Sequence, residues 1–177
     1  MSLREFVKSE FRDRFNEWVN SLPAKSRMIF SQAIDSSEWY PLKHAGTLPT
    51  QKIAELFFKG DNRKAAKEAG SFSAQKALSG IYRIFVKASS PGYIVQRASR
   101  IFSTYYRPCN MEIVDKSEKS VTLEITEMQG SDEITELRIG GWIERALTIS
   151  GAEDVSVDIT SSITRGDIST VYCISWL

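Results

Sequence analysis

His44, Cys109 and Cys173 are the only soft metal ligands in a chain of 177 residues. No two of them stand at a zinc-type spacing. A Ser/His/Asp or Cys/His arrangement would have to use His44, and nothing beside it completes one. Gly140-Gly141 lacks both the preceding strand and the following Lys-Ser/Thr of a phosphate loop. Asp132, Glu133 and Glu136 gather at a helix start, where carboxylates complement the dipole instead of forming an acid/base pair. Cys173 alternates with Val171 and Ser175 along a strand, which reads as a buried, inert thiol. A haem would need an axial donor, and the neighbours of His44, Lys43 and Ala45, add no haem signature. Neither metal nor haem is expected, and no catalytic residue is assigned.

Two other groups could recognise something without making bonds. Between Glu68 and Glu112 the chain carries no acid, yet it holds Lys76, Arg83, Lys87, Arg97, Arg100 and Arg107. After Met111 thirteen Asp or Glu face five Lys or Arg, although the net charge is only +1. A cationic helical part and an anionic strand-rich part therefore coexist, and such fields meet each other or a partner. The basic residues are candidates for an acidic protein partner, an anionic surface or a second copy. Nucleic acid is not expected, because most of the interleaved tyrosines sit on apolar faces and the pI of about 7.7 is low for that role. Trp39, Tyr40, Tyr82, Phe85, Tyr105 and Trp142, with Trp176, form an aromatic set able to line an apolar pocket. Plain core packing uses the same residues, and periodicity does not separate the two.

The elements that must position these residues follow from periodicity. Leu3, Val7, Phe11, Phe15, Trp18 and Leu22 predict one amphipathic helix ended by Pro23. A short helix with Met28, Ile29, Phe30 and Ile34 follows, then a loop over Asp35–Leu42. Thr47 is the expected cap of a helix burying Ile53, Leu56 and Phe57, and Asp61 caps a piece ended by Gly70. Two more helices are predicted, from about Phe72 to Ala88 and from Ser90-Pro91 onward. The second buries Ile94, Val95, Ala98, Ile101, Phe102 and Tyr105.

Beyond Pro108 the period changes to two. Met111–Asp115 and Val121–Ile125 form a hairpin; Val155–Ile159 and Ile168–Trp176 form another through Arg165-Gly166-Asp167. Between them runs a helix from Ser131 to Ser150 with core stripe Ile139, Trp142, Ile143, Ala146 and Leu147. Its Gly140-Gly141 costs about 1 kcal/mol per glycine relative to alanine, which implies a second backbone close by. The order ββαββ after a helical part describes an α+β fold with a four-stranded antiparallel sheet. One domain over 1–177 is expected, helical to 109 and sheet-bearing from 110. No apolar run reaches the roughly 20 residues that cross a bilayer. Two cysteines make no disulfide framework and the N-terminus has no secretory layout, so a reduced, cytoplasmic protein is expected.

Several short runs carry a resemblance. They are Ser21-Leu22-Pro23, Ser37-Glu38-Trp39-Tyr40-Pro41-Leu42, Ser79-Gly80-Ile81-Tyr82-Arg83, Tyr105-Tyr106, Gly140-Gly141-Trp142-Ile143-Glu144, Gly151-Ala152-Glu153-Asp154-Val155, and the ending Tyr172-Cys173-Ile174-Ser175-Trp176. Together they resemble an uncharacterised bacterial family best known from myxobacteria. That family is distantly similar to four-vinyl-reductase domains and to the fold of haem-nitric-oxide-binding proteins and TRAPP subunits. The resemblance implies helices on an antiparallel sheet, an apolar cavity between them, and a sensor or dimeric scaffold as the role. The axial histidine and Tyr-x-Ser-x-Arg element of the haem-binding branch are missing, so haem is not carried over. The leading expectation is a non-enzymatic module binding an apolar small molecule; the alternative is a homodimeric scaffold using the basic helical face.

Overall fold

A computed structural model describes residues 2–35, 37–79, 91–128 and 130–177. The helical part opens with α1 (Ser2–Glu10), a 3-10 turn (Arg12–Arg14) and α2 (Phe15–Ser21). The single helix expected over Leu3–Leu22 is therefore broken at Phe11. The break lets the Phe11 ring stack on Phe57, with centroids 4.0 Å apart and planes at 6°, while its edges meet Phe6 and Phe58. Ring packing of this kind is worth more than the few helical hydrogen bonds given up. After Pro23, α3 (Ala24–Ser31) buries Phe30 completely but leaves Met28 exposed, and Ile34 falls beyond its end.

Helix α4 (Leu48–Phe57) follows a π-helical turn over Lys43–Thr47. Thr47 is not its cap. Its backbone is already helical, no side-chain cap bond forms, and its hydroxyl donates instead to the Asp132 carboxylate. Asp61 does cap α5 (Asn62–Ala77), accepting from the Lys64 amide at 2.9 Å. Gly70 does not end that helix. It lies where α5 crosses α7 (Glu133–Ile149): a Cβ at Gly70 would sit 2.0 Å from the Arg138 carbonyl oxygen, and one at Gly141 2.4 Å from that of Lys67. Gly141 and Gly70 are thus the two halves of the close approach, while Gly140 faces Val157 and Tyr172 side chains at ordinary distances. The helix expected from Phe72 to Ala88 is divided: its start belongs to α5, and residues 80–88 lie outside those described.

Helix α6 (Pro91–Ile101) and a 3-10 turn (Phe102–Thr104) lead to β1 (Asn110–Lys116) and β2 (Ser120–Thr126). After α7 come β3 (Ser156–Ser161), a 3-10 turn (Ile163–Arg165) and β4 (Thr170–Ser175). The four strands form one antiparallel sheet in the order β1-β2-β4-β3. Its inner face aligns Ile113, Leu123, Tyr172 and Ile159 in one row and Val121, Ile174 and Val157 in the next. Helix α6 packs on β1 and β2, and α7 on β3. Four layers result. The N-terminal helices cover the outer side of α5, α5 lies on α7, and α6 and α7 lie on the sheet. Among the described residues no helix is long and apolar enough to cross a membrane.

Candidate functional site

The helical part and the sheet part meet at a wedge formed by the Lys43–Thr47 turn, the end of α6 and the middle of α7. Leu42, just before the turn, packs on the sheet-side core together with Phe102, Tyr106, Cys109 and Trp142. The turn is drawn against α7 by Gly46, whose missing side chain leaves room for the Arg138 guanidinium, and by the Thr47–Asp132 bond. A single π turn inside a helical run is a recurrent mark of functional sites. Here it carries His44.

Polar groups concentrate at this wedge. His44 Nδ1 and Arg138 Nε are buried and have no hydrogen-bond partner among the described residues. Buried polar atoms are nearly always satisfied; Ser26 Oγ, Ser131 Oγ and Arg145 Nε are in the same state, and His44 and Arg138 are the two that stand on the facing elements of the wedge. Tyr172 is fully buried and donates to the Glu136 carbonyl at 3.0 Å. Burial pushes its phenol well up, with the Glu136 charge adding to the effect. Burial also raises the Tyr106 phenol, while the positive Arg138 pulls the other way. Burial lifts the Cys109 thiol to about 11, with a further push from Glu127. At neutral pH all three therefore stay protonated and uncharged.

The aromatic set expected to line a pocket is dispersed. Trp39 is 51% exposed and lies under the Arg107 guanidinium at 4.6 Å. Tyr40 is half-buried. Tyr105, expected inside, is 61% exposed, because the last turn before the sheet is 3-10 and rotates it off the apolar face. Among the described members Trp142 reaches the wedge, between the sheet-side core and a cluster of Ala74, Ile94 and Ala146, while Trp176 is buried within the sheet-side core itself. Tyr82 and Phe85 lie outside the described residues. Of the basic candidates, Arg97 and Arg107 are exposed on or just after α6, and Lys76 sits over the Phe72 ring at 5.5 Å. Arg83, Lys87 and the Arg100 side chain are outside what is described.

Two further placements differ from expectation. Cys173 is not buried. It stands on the outer face of the sheet between Thr122 and Asp158, with Thr160 Oγ1 3.5 Å from its sulfur. Glu136 is no surface dipole complement; it is only 3% exposed and bonded to three hydroxyls. Its spacing from Ile139 and Ile143 on the apolar stripe of α7 was the signal that would have revealed this. His44 and Arg138 had no such signal, since neither belongs to a periodic apolar face.

No family model matches the chain, and no curated protein matches it in sequence. Solved structures do. The unliganded Fe(II) H-NOX protein from K. algicida superposes with a TM-score of 0.70 at 7% identity, covering 99% of this chain and 93% of that one. The H-NOX protein from S. oneidensis in its Fe(II)NO state gives 0.71 at 12%, covering 99% and 96%. A structure from work on haem distortion in the H-NOX family gives 0.70 at 12%, covering 99% and 91%.

The fold is the H-NOX fold.

At these identities the likeness is one of fold alone. It gives no support to the four-vinyl-reductase, TRAPP or myxobacterial parts of the resemblance. It does overturn the expectation that haem has no place here, since structures sharing this architecture come from work on haem distortion and haem redox potential. The donors at the wedge allow a test of fit. Haem iron is held axially by histidine, thiolate, methionine or tyrosinate. Cys109, Tyr106 and Tyr172 are kept protonated by burial, which disfavours them as anionic ligands. His44 offers a nitrogen with no hydrogen-bond partner among the described residues. The donor set fits at that one residue. Among the described residues no group of three or more His, Cys, Asp or Glu could hold a metal ion.

Proposed function

We propose that this chain is a non-enzymatic ligand-binding sensor module, acting as one unit, whose ligand sits at the wedge between the Lys43–Thr47 turn and α7. The observation that carries this reading is the buried, unpartnered His44 nitrogen on a π-helical turn within an H-NOX fold. Haem is the ligand to test first: His44 would hold its iron, Trp142 and Leu42 would form apolar walls, and Arg138 would offer a cation to a carboxylate. Bound haem iron would supply a coordination position for a small diatomic molecule.

Titration of haemin into the purified full chain, followed by Soret absorption, tests the reading. A saturable one-to-one complex is expected. His44→Gly should weaken it by about tenfold or more, the scale of a lost ligand-level contact, and added imidazole should restore it. A spectrum identical to free haemin, or one that His44→Gly leaves unchanged, rejects haem at this site.

A second reading is favoured by one feature of the sheet. On its open face Glu112 lies directly opposite Glu124, a like-charge pair that destabilises an isolated sheet. The cationic face of α6 on a second copy, through Arg97 and Arg107, would relieve it. In this scaffold reading light scattering shows a dimer at low salt and a monomer at high salt. A monomer at both removes it.

A further inference from the structure

Glu136 poses a question that the wedge does not answer. Its carboxylate is buried, and among the described residues no Lys or Arg forms an ion pair with it. Instead it accepts from Thr170 Oγ1 at 2.6 Å, Ser162 Oγ at 2.7 Å and Thr164 Oγ1 at 3.1 Å. A buried charge held by neutral groups alone is costly. The arrangement is also short of hydrogens. Glu136 Oε2, Ser162 Oγ and Thr164 Oγ1 form a triangle, since the two hydroxyl oxygens are 2.8 Å apart. Three oxygen–oxygen contacts are made, but two hydroxyls bring only two protons.

This triangle lines the floor of a groove of about 540 Å³ between α5, α7 and β3. Val157, Ile159 and Leu137 supply apolar wall, and Arg63, Lys67 and Arg165 stand around it. Their present partners are loose. Arg63 and Glu133, 3.2 Å apart, are both about two-thirds exposed; Lys67 and Glu144 are 3.8 Å apart; Arg165 donates to the Ile159 carbonyl at 3.3 Å. Exposed pairs of this kind contribute little and are readily redirected to a ligand.

We propose that this groove is a second binding site, independent of the wedge, for a small zwitterion carrying a primary ammonium and a carboxylate, as an amino acid does. The ammonium sits over the triangle. Its N–H groups donate to Glu136, Ser162 and Thr164, making good the one hydrogen the triangle lacks, and its positive charge compensates the buried carboxylate. The ligand carboxylate turns outward to Arg63, Lys67 and Arg165. Any side chain lies along Val157 and Ile159.

The test is a titration of the full chain with each proteinogenic amino acid, followed by amide shifts of Ser162–Thr170 and by thermal unfolding. At least one should bind saturably and raise the unfolding temperature. Its N-acetyl derivative, which lacks the ammonium, should bind about tenfold more weakly, the scale of one charge-assisted hydrogen bond. Its decarboxylated amine should lose a similar amount and become insensitive to Arg165→Ala. Glu136→Gln adds the missing hydrogen through its own amide, so it should fold and abolish binding. Thr164→Val, at an exposed position, should weaken binding without unfolding the protein. No saturable shift with any amino acid overturns the proposal. So does binding that survives both Glu136→Gln and Thr164→Val. A protonated-carboxyl infrared band lost in Glu136→Gln, without ligand binding, would show that a proton fills the triangle instead, and would equally overturn it.

Discussion

The helical part and the sheet part solve burial in opposite ways. In the helical part Phe6, Phe11, Phe57, Phe58 and Phe72 form one ring cluster and Phe15, Trp18 and Phe30 another. Their single polar handle, Trp18 Nε1, is satisfied by the Pro49 carbonyl at 3.1 Å. The sheet-side core is built on aliphatic rows yet encloses Tyr172, Tyr106, Cys109 and Glu136. A dry aromatic core gains stability from ring contacts and tolerates no reshaping. A core with polar inclusions gives up some of that stability and keeps groups that can meet a ligand. Both candidate sites fall on the second side, around α7.

The contrast can be broken most severely on the helical side. Trp18→Ala removes a fully buried indole and its hydrogen bond, and should cost about 3–5 kcal/mol in denaturant unfolding. A loss below about 1 kcal/mol would show that this core collapses around the gap, against the picture of rigid ring packing.

Next in size is the seam between the two parts. Gly141→Ala drives a methyl into the Lys67 backbone, where neither partner is a flexible side-chain end. A destabilisation of about 1–3 kcal/mol is expected, with α5 displaced from α7. Gly140→Ala is the internal control. It meets only side chains at van der Waals distance and should be tolerated far better. Equal effects at both positions would mean that α5 and α7 are not in backbone contact.

The smallest effect concerns the half-buried thiol at the edge of the sheet-side core. Cys109 titrates at about 11 instead of its ordinary 9.0 because burial disfavours the thiolate. The sign follows from linkage. The folded state holds the proton more tightly, so the stability contributed is complete below about 9 and is lost as pH rises through about 11. Cys109→Ser should flatten that alkaline decline. At neutral pH iodoacetamide should label Cys173, on the outer sheet face, before Cys109, whose raised pKa leaves it little thiolate. Faster labelling of Cys109 would mean that the wedge opens.

Much of the scaffold was legible beforehand because local patterns had only one way to be satisfied. Alternation in Val121–Ile125 and Val155–Ile159 placed inner-face rows correctly, and Asp61 is the cap it looked to be. Gly141 signalled a close backbone from its cost alone. Where two principles competed, the reading failed. Gly70 looked like a helix stop because glycine ends helices, but the same residue also permits contact, and tertiary packing chose contact. Leu3–Leu22 kept a helical period across a break, since the stack of Phe11 on Phe57 is a long-range gain invisible to a local window. The candidate site was the least legible of all. Periodicity collected aromatic residues along each helix but carried no information on which of them share a space.

Residue order alone determined that helices would coat one side of an antiparallel sheet and that opposite charges would be segregated along the chain. Periodicity and charge are local properties, written wherever the residues stand. Only the tertiary structure decided that His44 and Arg138 would keep buried nitrogens without hydrogen-bond partners among the described residues, and that Glu136 would be held by hydroxyls and by no ion pair among them. Those facts depend on which atoms far apart in the chain fail to meet, and an unmet contact leaves no mark in a sequence.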